Sequence, residues 1–200
     1  MKDNKDKIIL DLCGGTGSWS KPYVEAGYDV RLITLPEYDV ISLAEDKDFW
    51  NIPIEKVYGI LAAPPCVQFS LARTTAKTPR DFQAGMEIVS ACMRIIWTAR
   101  AKGSLQFWAL ENPTAYLRQF LGKPPFTFQP YEFGDRYKKR TDLWGYYNEP
   151  RKRPVELTEK EIWDSRQNTR PLPKIRGMSV ADRRAITPAG FARAFFEANK

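Results

Sequence analysis

The chain is expected to fold as a single α/β domain, 1–200, with a mostly parallel sheet and helices on both faces. Three observations predict it. Short apolar runs recur along the chain and end at glycine or proline corners, stretches with helical spacing separate them, and 200 residues at 43% hydrophobic content suit one core.

The first strand is expected over 7–12 and opens at Cys13-Gly14-Gly15-Thr16-Gly17-Ser18 into a helix over 21–26. Gly15 and Gly17 let backbone approach a ligand closely, and the start of the helix offers free N–H groups; an ordinary turn needs the same residues. No Gly-Lys-Ser/Thr follows, so this is not a P-loop, and the third glycine of a dinucleotide fingerprint is missing. A second strand is expected over 29–34. A third, over 57–63, stops at Pro64-Pro65, where two fixed φ angles and two missing donors end the run and leave Cys66 on a rigid loop. Ligands of α/β sheets bind at such carboxyl ends, which makes Cys66 a candidate nucleophile, although a free cysteine is more often a small packing residue. The stretch 71–79, with Arg73 and Lys77, reads either as a loop that closes over a bound base or as an ordinary surface loop.

A long helix is expected over 80–101, with Cys92 packed among Ile88, Val89, Ile95 and Ile96. The strand expected over 105–110 ends at Glu111-Asn112-Pro113, placing Glu111 beside Cys66 at one sheet edge. Partial removal from water by Trp108 and Leu110 would raise its pKa and suit a proton donor; a carboxylate capping the next helix, over 114–121, fits the same residues. The remaining elements are a strand over 141–147, with Trp144 in the core, and a helix over 188–198. Thr187 is the expected N-cap of that helix, Pro188 its first residue, and Phe191 and Phe195 its sheet-facing pair.

Thirty-one Lys and Arg against 24 Asp and Glu give a net charge of +7, which favours a polyanionic partner. With three cysteines and no histidine, a metal site, a Cys-His pair and a disulfide scaffold are all disfavoured, and a reducing compartment such as the cytoplasm fits. Residues 1–6 are polar, so no signal peptide is expected, and no apolar stretch is long enough to span a bilayer.

Taken in order, the three corners resemble the S-adenosylmethionine-dependent DNA cytosine-5 methyltransferases. The family's Asp-Leu-Phe-x-Gly-x-Gly-Gly stands here as Asp11-Leu12-Cys13-Gly14-Gly15-Thr16-Gly17-Ser18. Its Pro-Pro-Cys-Gln-x-Phe-Ser is matched by Pro64-Pro65-Cys66-Val67-Gln68-Phe69-Ser70, and Glu-Asn-Pro is intact at 111–113. The resemblance covers roughly residues 7–147 and returns weakly at Thr187-Pro188-Ala189-Gly190-Phe191. It implies a Rossmann-like class I methyltransferase fold, and the layout is similar to minimal forms of this domain carried by bacteriophages, which would place the protein in a bacterial host's cytoplasm.

The resemblance further implies that Cys66 adds to C6 of cytosine, that Glu111 protonates or hydrogen-bonds N3, and that Arg140, or next Lys139, binds the ring and its phosphate. S-adenosylmethionine would lie against Asp11, Cys13, Gly15, Thr16, Gly17, Trp19, Asp39, Val40 and Pro64, with Asp39 reading the adenine; Pro65, Gln68, Ser70, Asn112 and Lys139 would meet the substrate. The place of the family's ribose-binding acid falls near Leu35 and Pro36, so either Glu37 substitutes or the ribose is held differently.

Family members that read a duplex sequence insert a recognition domain before the last motif. Here 148–186 is a short basic, proline-containing segment, including 151–154 and 170–174, too poor in apolar residues for a second core. The expected partner is therefore DNA, duplex or single-stranded, bound with relaxed specificity or by a homodimer that completes the groove. RNA or free cytosine nucleotides are the alternative substrates, and a catalytically silent binder of S-adenosylmethionine or DNA is the alternative class. Aromatic residues beside the basic segments, Tyr137, Tyr146 and Tyr147, either stack on unpaired bases or belong to the core.

Overall fold

A computed structural model describes residues 4–72, 76–103, 105–167 and 176–200. Arg73 and the 170–174 stretch lie outside the described residues. The chain runs β1 (Ile8–Leu12), α1 (Lys21–Glu25), β2 (Asp29–Ile33), α2 (Val40–Glu45), β3 (Val57–Ala62), α3 (Phe82–Ala101) and β4 (Phe107–Pro113). It continues α4 (Arg118–Leu121), β5 (Phe126–Phe128), β6 (Thr141–Tyr146), α5 (Glu159–Gln167), α6 (Val180–Ala185) and α7 (Ala189–Ala198).

One six-stranded sheet has the order β2-β1-β3-β4-β6-β5. The first four strands pair in parallel, while β6 runs antiparallel to both β4 and β5. The sheet is therefore mixed rather than mostly parallel throughout. The difference arises at β6, which runs opposite to its two neighbours and separates β4 from β5, a three-residue strand that no apolar run announces and that pairs with Thr141 to Leu143.

Alternating side chains feed two cores, one per sheet face. Leu10, Leu12, Ile60 and Leu110 join Leu43 of α2 and Val89, Cys92, Ile95 and Ile96 of α3 on one face. Ile9, Leu61, Phe107 and Leu143 join Tyr23 of α1 and Phe191 and Phe195 of α7 on the other. Every residue of β1 is buried, as expected for a strand covered on both faces. Trp144 is buried and its Nε1 donates to the Gly122 carbonyl at 3.0 Å.

Several expected boundaries move. The strand expected to end at 110 continues through Pro113, because the antiparallel ladder pairs Glu111 with Leu143 and Asn112 with Asp142. The helix expected over 114–121 narrows to Arg118–Leu121. The last helix starts at Ala189 with Pro188, not Thr187, at its N-cap. Helices α2, α5 and α6 are additional to those expected.

Candidate active site

The chain leaves β1 towards β2 on one side and returns to β3 on the other, so β1 and β3 flank a switch in strand order. Loops at the carboxyl ends of such strands diverge and open a crevice. Here they are the glycine-rich loop after Leu12 and the Pro64-Pro65-Cys66 loop after Ala62.

Asp11 anchors the first loop from beneath. It is fully buried, its Oδ2 accepts from Ser20 Oγ at 2.5 Å, and its Oδ1 has no partner among the described residues. Burial pushes its pKa up to about 6 against the lowering effect of the Ser20 bonds. A Cβ on Gly14 would fall 2.3 Å from the Asp11 carboxyl carbon, so only glycine lets the loop fold over that carboxylate. Gly15 and Gly17 have φ of +57° and +69°, and Thr16 Oγ1 and Ser18 Oγ bond each other at 2.6 Å between and beside them. Cys13, also at positive φ, donates its N–H to the Ile33 carbonyl at 2.7 Å and tethers this loop to the end of β2.

The other proposed cofactor residues divide. Asp39 caps α2, accepting from Ile41 N at 3.1 Å and Ser42 Oγ at 3.0 Å, and Val40 is buried behind it. Glu37 is exposed beyond the end of β2. Trp19 is 1% exposed and packs between Phe191 and Phe195, so it lies in the core under the loop, not on its surface.

On the second loop, Pro64 is buried and Pro65 exposed, and Cys66 starts a 3-10 turn, half-buried. The turn closes when the Cys66 carbonyl accepts Phe69 N at 2.9 Å and Ser70 N at 2.7 Å. Asn112 Nδ2 donates to the Pro64 carbonyl at 2.9 Å, joining the end of β4 to the Pro-Pro corner. Gln68 Oε1 accepts Asp81 N, and Ser70 Oγ accepts Ala72 N, so both side chains brace the loop. Arg80 completes the brace. Its guanidinium donates to the Gln68 and Ser70 carbonyls at 2.9 and 2.8 Å and lies over the Tyr116 ring. No spacing in the sequence singles it out, because its targets are backbone carbonyls.

Glu111, at the end of β4, is 8% exposed. Lys139 Nζ lies 3.8 Å from its Oε1 and donates to the Arg184 carbonyl of α6 at 3.3 Å. Burial pushes the Glu111 carboxyl up, Lys139 opposes that, and Asp142 adds to it. Burial likewise pushes the Cys66 thiol up, with Lys139 lowering and Glu111 raising it. Cys66, Glu111 and Lys139 thus share one electrostatic environment. Arg140 does not join them: its side chain is exposed and makes no hydrogen bond or ion pair with the described residues, while its carbonyl accepts Thr114 N.

Beneath this group, Asp142 accepts from Arg118 Nε at 2.5 Å, Thr114 Oγ1 at 2.6 Å and Thr127 Oγ1 at 2.9 Å. These bonds pull its pKa down against burial and tie α4, β5 and β6 together under the site. Among the described residues, no cluster of His, Cys, Asp or Glu could hold a metal ion, and no helix is long and apolar enough to cross a membrane. The chain matches no protein-family model and no curated protein.

Proposed function

We propose that the protein is a DNA cytosine-5 methyltransferase with a Rossmann-like methyltransferase fold and a covalent Cys66 mechanism. The observation that carries this reading is the convergence of Cys66, Glu111 and Lys139 at the ends of β3 and β4, beside the glycine-rich loop of β1. A nucleophile, a carboxyl held towards its protonated form and a cation are the parts that activation of an electron-poor ring needs.

The loop fits S-adenosylmethionine. A Cβ at Gly15 would meet nothing within 4 Å, so the backbone there is open to a ligand, and among the described residues the buried Asp11 keeps an unpartnered oxygen under the same loop. Gly15, Thr16, Gly17 and Asp39 would hold the cofactor, which when bound supplies an electrophilic methyl group for C5. The protein's own residues act on the ring. As a thiolate, Cys66 bonds through Sγ to C6 while a ring electron pair moves to N3, which takes the Glu111 proton. Once C5 has gained its methyl group, its proton passes to water, the C5–H pair re-forms C5=C6 and expels Cys66 as thiolate, and N3 returns its proton to Glu111. Lys139 holds Glu111 in place and balances its charge whenever it is ionised.

Nucleoside mass spectrometry of DNA incubated with the protein and S-adenosylmethionine tests the reading. 5-Methylcytosine is expected with the parent, none with Cys66→Ser, and about a hundredfold less with Glu111→Gln. No 5-methylcytosine with the parent overturns it.

A further inference from the structure

Helix α5 contains no buried residue, yet it is firmly attached. Glu161 takes a two-pronged ion pair from Arg136 at 2.6 and 2.9 Å, Ser165 Oγ accepts Lys138 N at 2.9 Å, and Thr158 and Glu161 cap each other. Those residues define its inward side.

The outward side carries Trp163, 60% exposed, with Lys160 and Arg166 exposed three residues before and after it on the same face. Among the described residues, Trp163 makes no ring, cation or hydrogen-bond contact, and neither cation has an ion pair. Elsewhere an exposed aromatic is already engaged: Trp97 and Tyr146 both lie against the Arg100 guanidinium, at 5.7 and 5.4 Å. The indole of Trp163 is neither core nor partnered, and a cation stands on either side of it. Around it, residues 151–186 hold ten Lys and Arg against five Asp and Glu, one of which, Glu159, shares the outward side.

We infer that the Lys160-Trp163-Arg166 face binds a single nucleic-acid strand, the indole stacking on an unpaired base and the two cations meeting flanking phosphates. An aromatic plane between cations matches a polyanion that alternates charge with flat rings, whereas a protein partner would be expected to cover apolar neighbours that this helix lacks. The face is also coupled to the proposed chemistry. Ser165 holds the backbone of Lys138, and the next residue, Lys139, pairs with Glu111. The inference rests on the methyltransferase reading for the identity of the strand as substrate.

Fluorescence anisotropy with a labelled single-stranded DNA oligonucleotide, and with its duplex, tests it alongside methyl transfer. Trp163→Ala is expected to bind the single strand about tenfold more weakly and Trp163→Phe to restore most of that loss. Lys160→Glu with Arg166→Glu is expected to flatten the salt dependence, with thermal midpoints unchanged because no buried atom is removed. Parent-like affinity of Trp163→Ala overturns the inference, as does an effect confined to duplex or one seen only in self-association. A parent that methylates DNA while Trp163→Ala binds normally sinks this inference alone; a parent that neither binds nor methylates sinks the methyltransferase reading with it.

Discussion

Lys139 is the residue on which the electrostatics of the candidate site turn, because one ammonium opposes two effects of burial. It lowers both the Cys66 thiol and the Glu111 carboxyl, while Glu111 itself raises the thiol. The signs are opposite for two substitutions. Lys139→Gln should move thiolate formation at Cys66 to higher pH, and Glu111→Gln should move it lower, with the parent above the roughly 8.5 of a free cysteine. Iodoacetamide labelling of the Cys66 peptide across pH, read by mass spectrometry, checks this, and shifts in the same direction for both variants would refute the assignment. Cys66 and Glu111 were legible from their proline-bounded corners. The position of Lys139 beside Glu111 was not, because it depends on strand phase. Glu111 pairs across the ladder with Leu143, and alternate residues share a side, so phase favours 139 over 140.

Among elements, the β4-β6-β5 group with α4 decides how rigidly Glu111 is presented. Its fastener is Asp142, whose side chain is fully buried while Arg118 is 30% exposed. Removing the carboxylate leaves a guanidinium and two hydroxyls without their acceptor, so Asp142→Ala should lower the unfolding free energy by about 3 kcal/mol at neutral pH. Its folded pKa lies below the unfolded value, so this contribution is present above the ordinary carboxylate range and is lost as pH falls through the folded value. Urea unfolding of parent and variant at pH 7 and in acid should therefore converge as pH drops; equal stability at pH 7 would rule out the network's role. This group was hard to read in the sequence because β5 is three residues long and owes its existence to a partner 15 residues on. By contrast, the capping boxes Thr158 to Glu161 and Ser179 to Asp182 were open to inspection, and with them the starts of α5 and α6. A reading that treats 148–186 as a basic connector passes over both.

At the scale of the molecule, the two-faced core was legible from apolar runs and helical spacing, since each strand feeds both faces and each long helix has one. The switch in strand order, which brings the loops after β1 and β3 to one edge of the sheet, is topological and leaves no local mark. That same arrangement seals Cys92. It lies in the middle of α3, fully buried, whereas Cys13 and Cys66 are only half-buried. A thiol reagent in excess should modify Cys13 and Cys66 in the native protein but reach Cys92 only when α3 lifts off the sheet, so its labelling should be at least about a thousandfold slower and should quicken with mild denaturant. Peptide mass spectrometry over time measures it, and equal rates at all three sites would mean that α3 is not seated. Cys92 is thus a clock written into the chain: the interval before it reacts counts how rarely the helix over this core breathes.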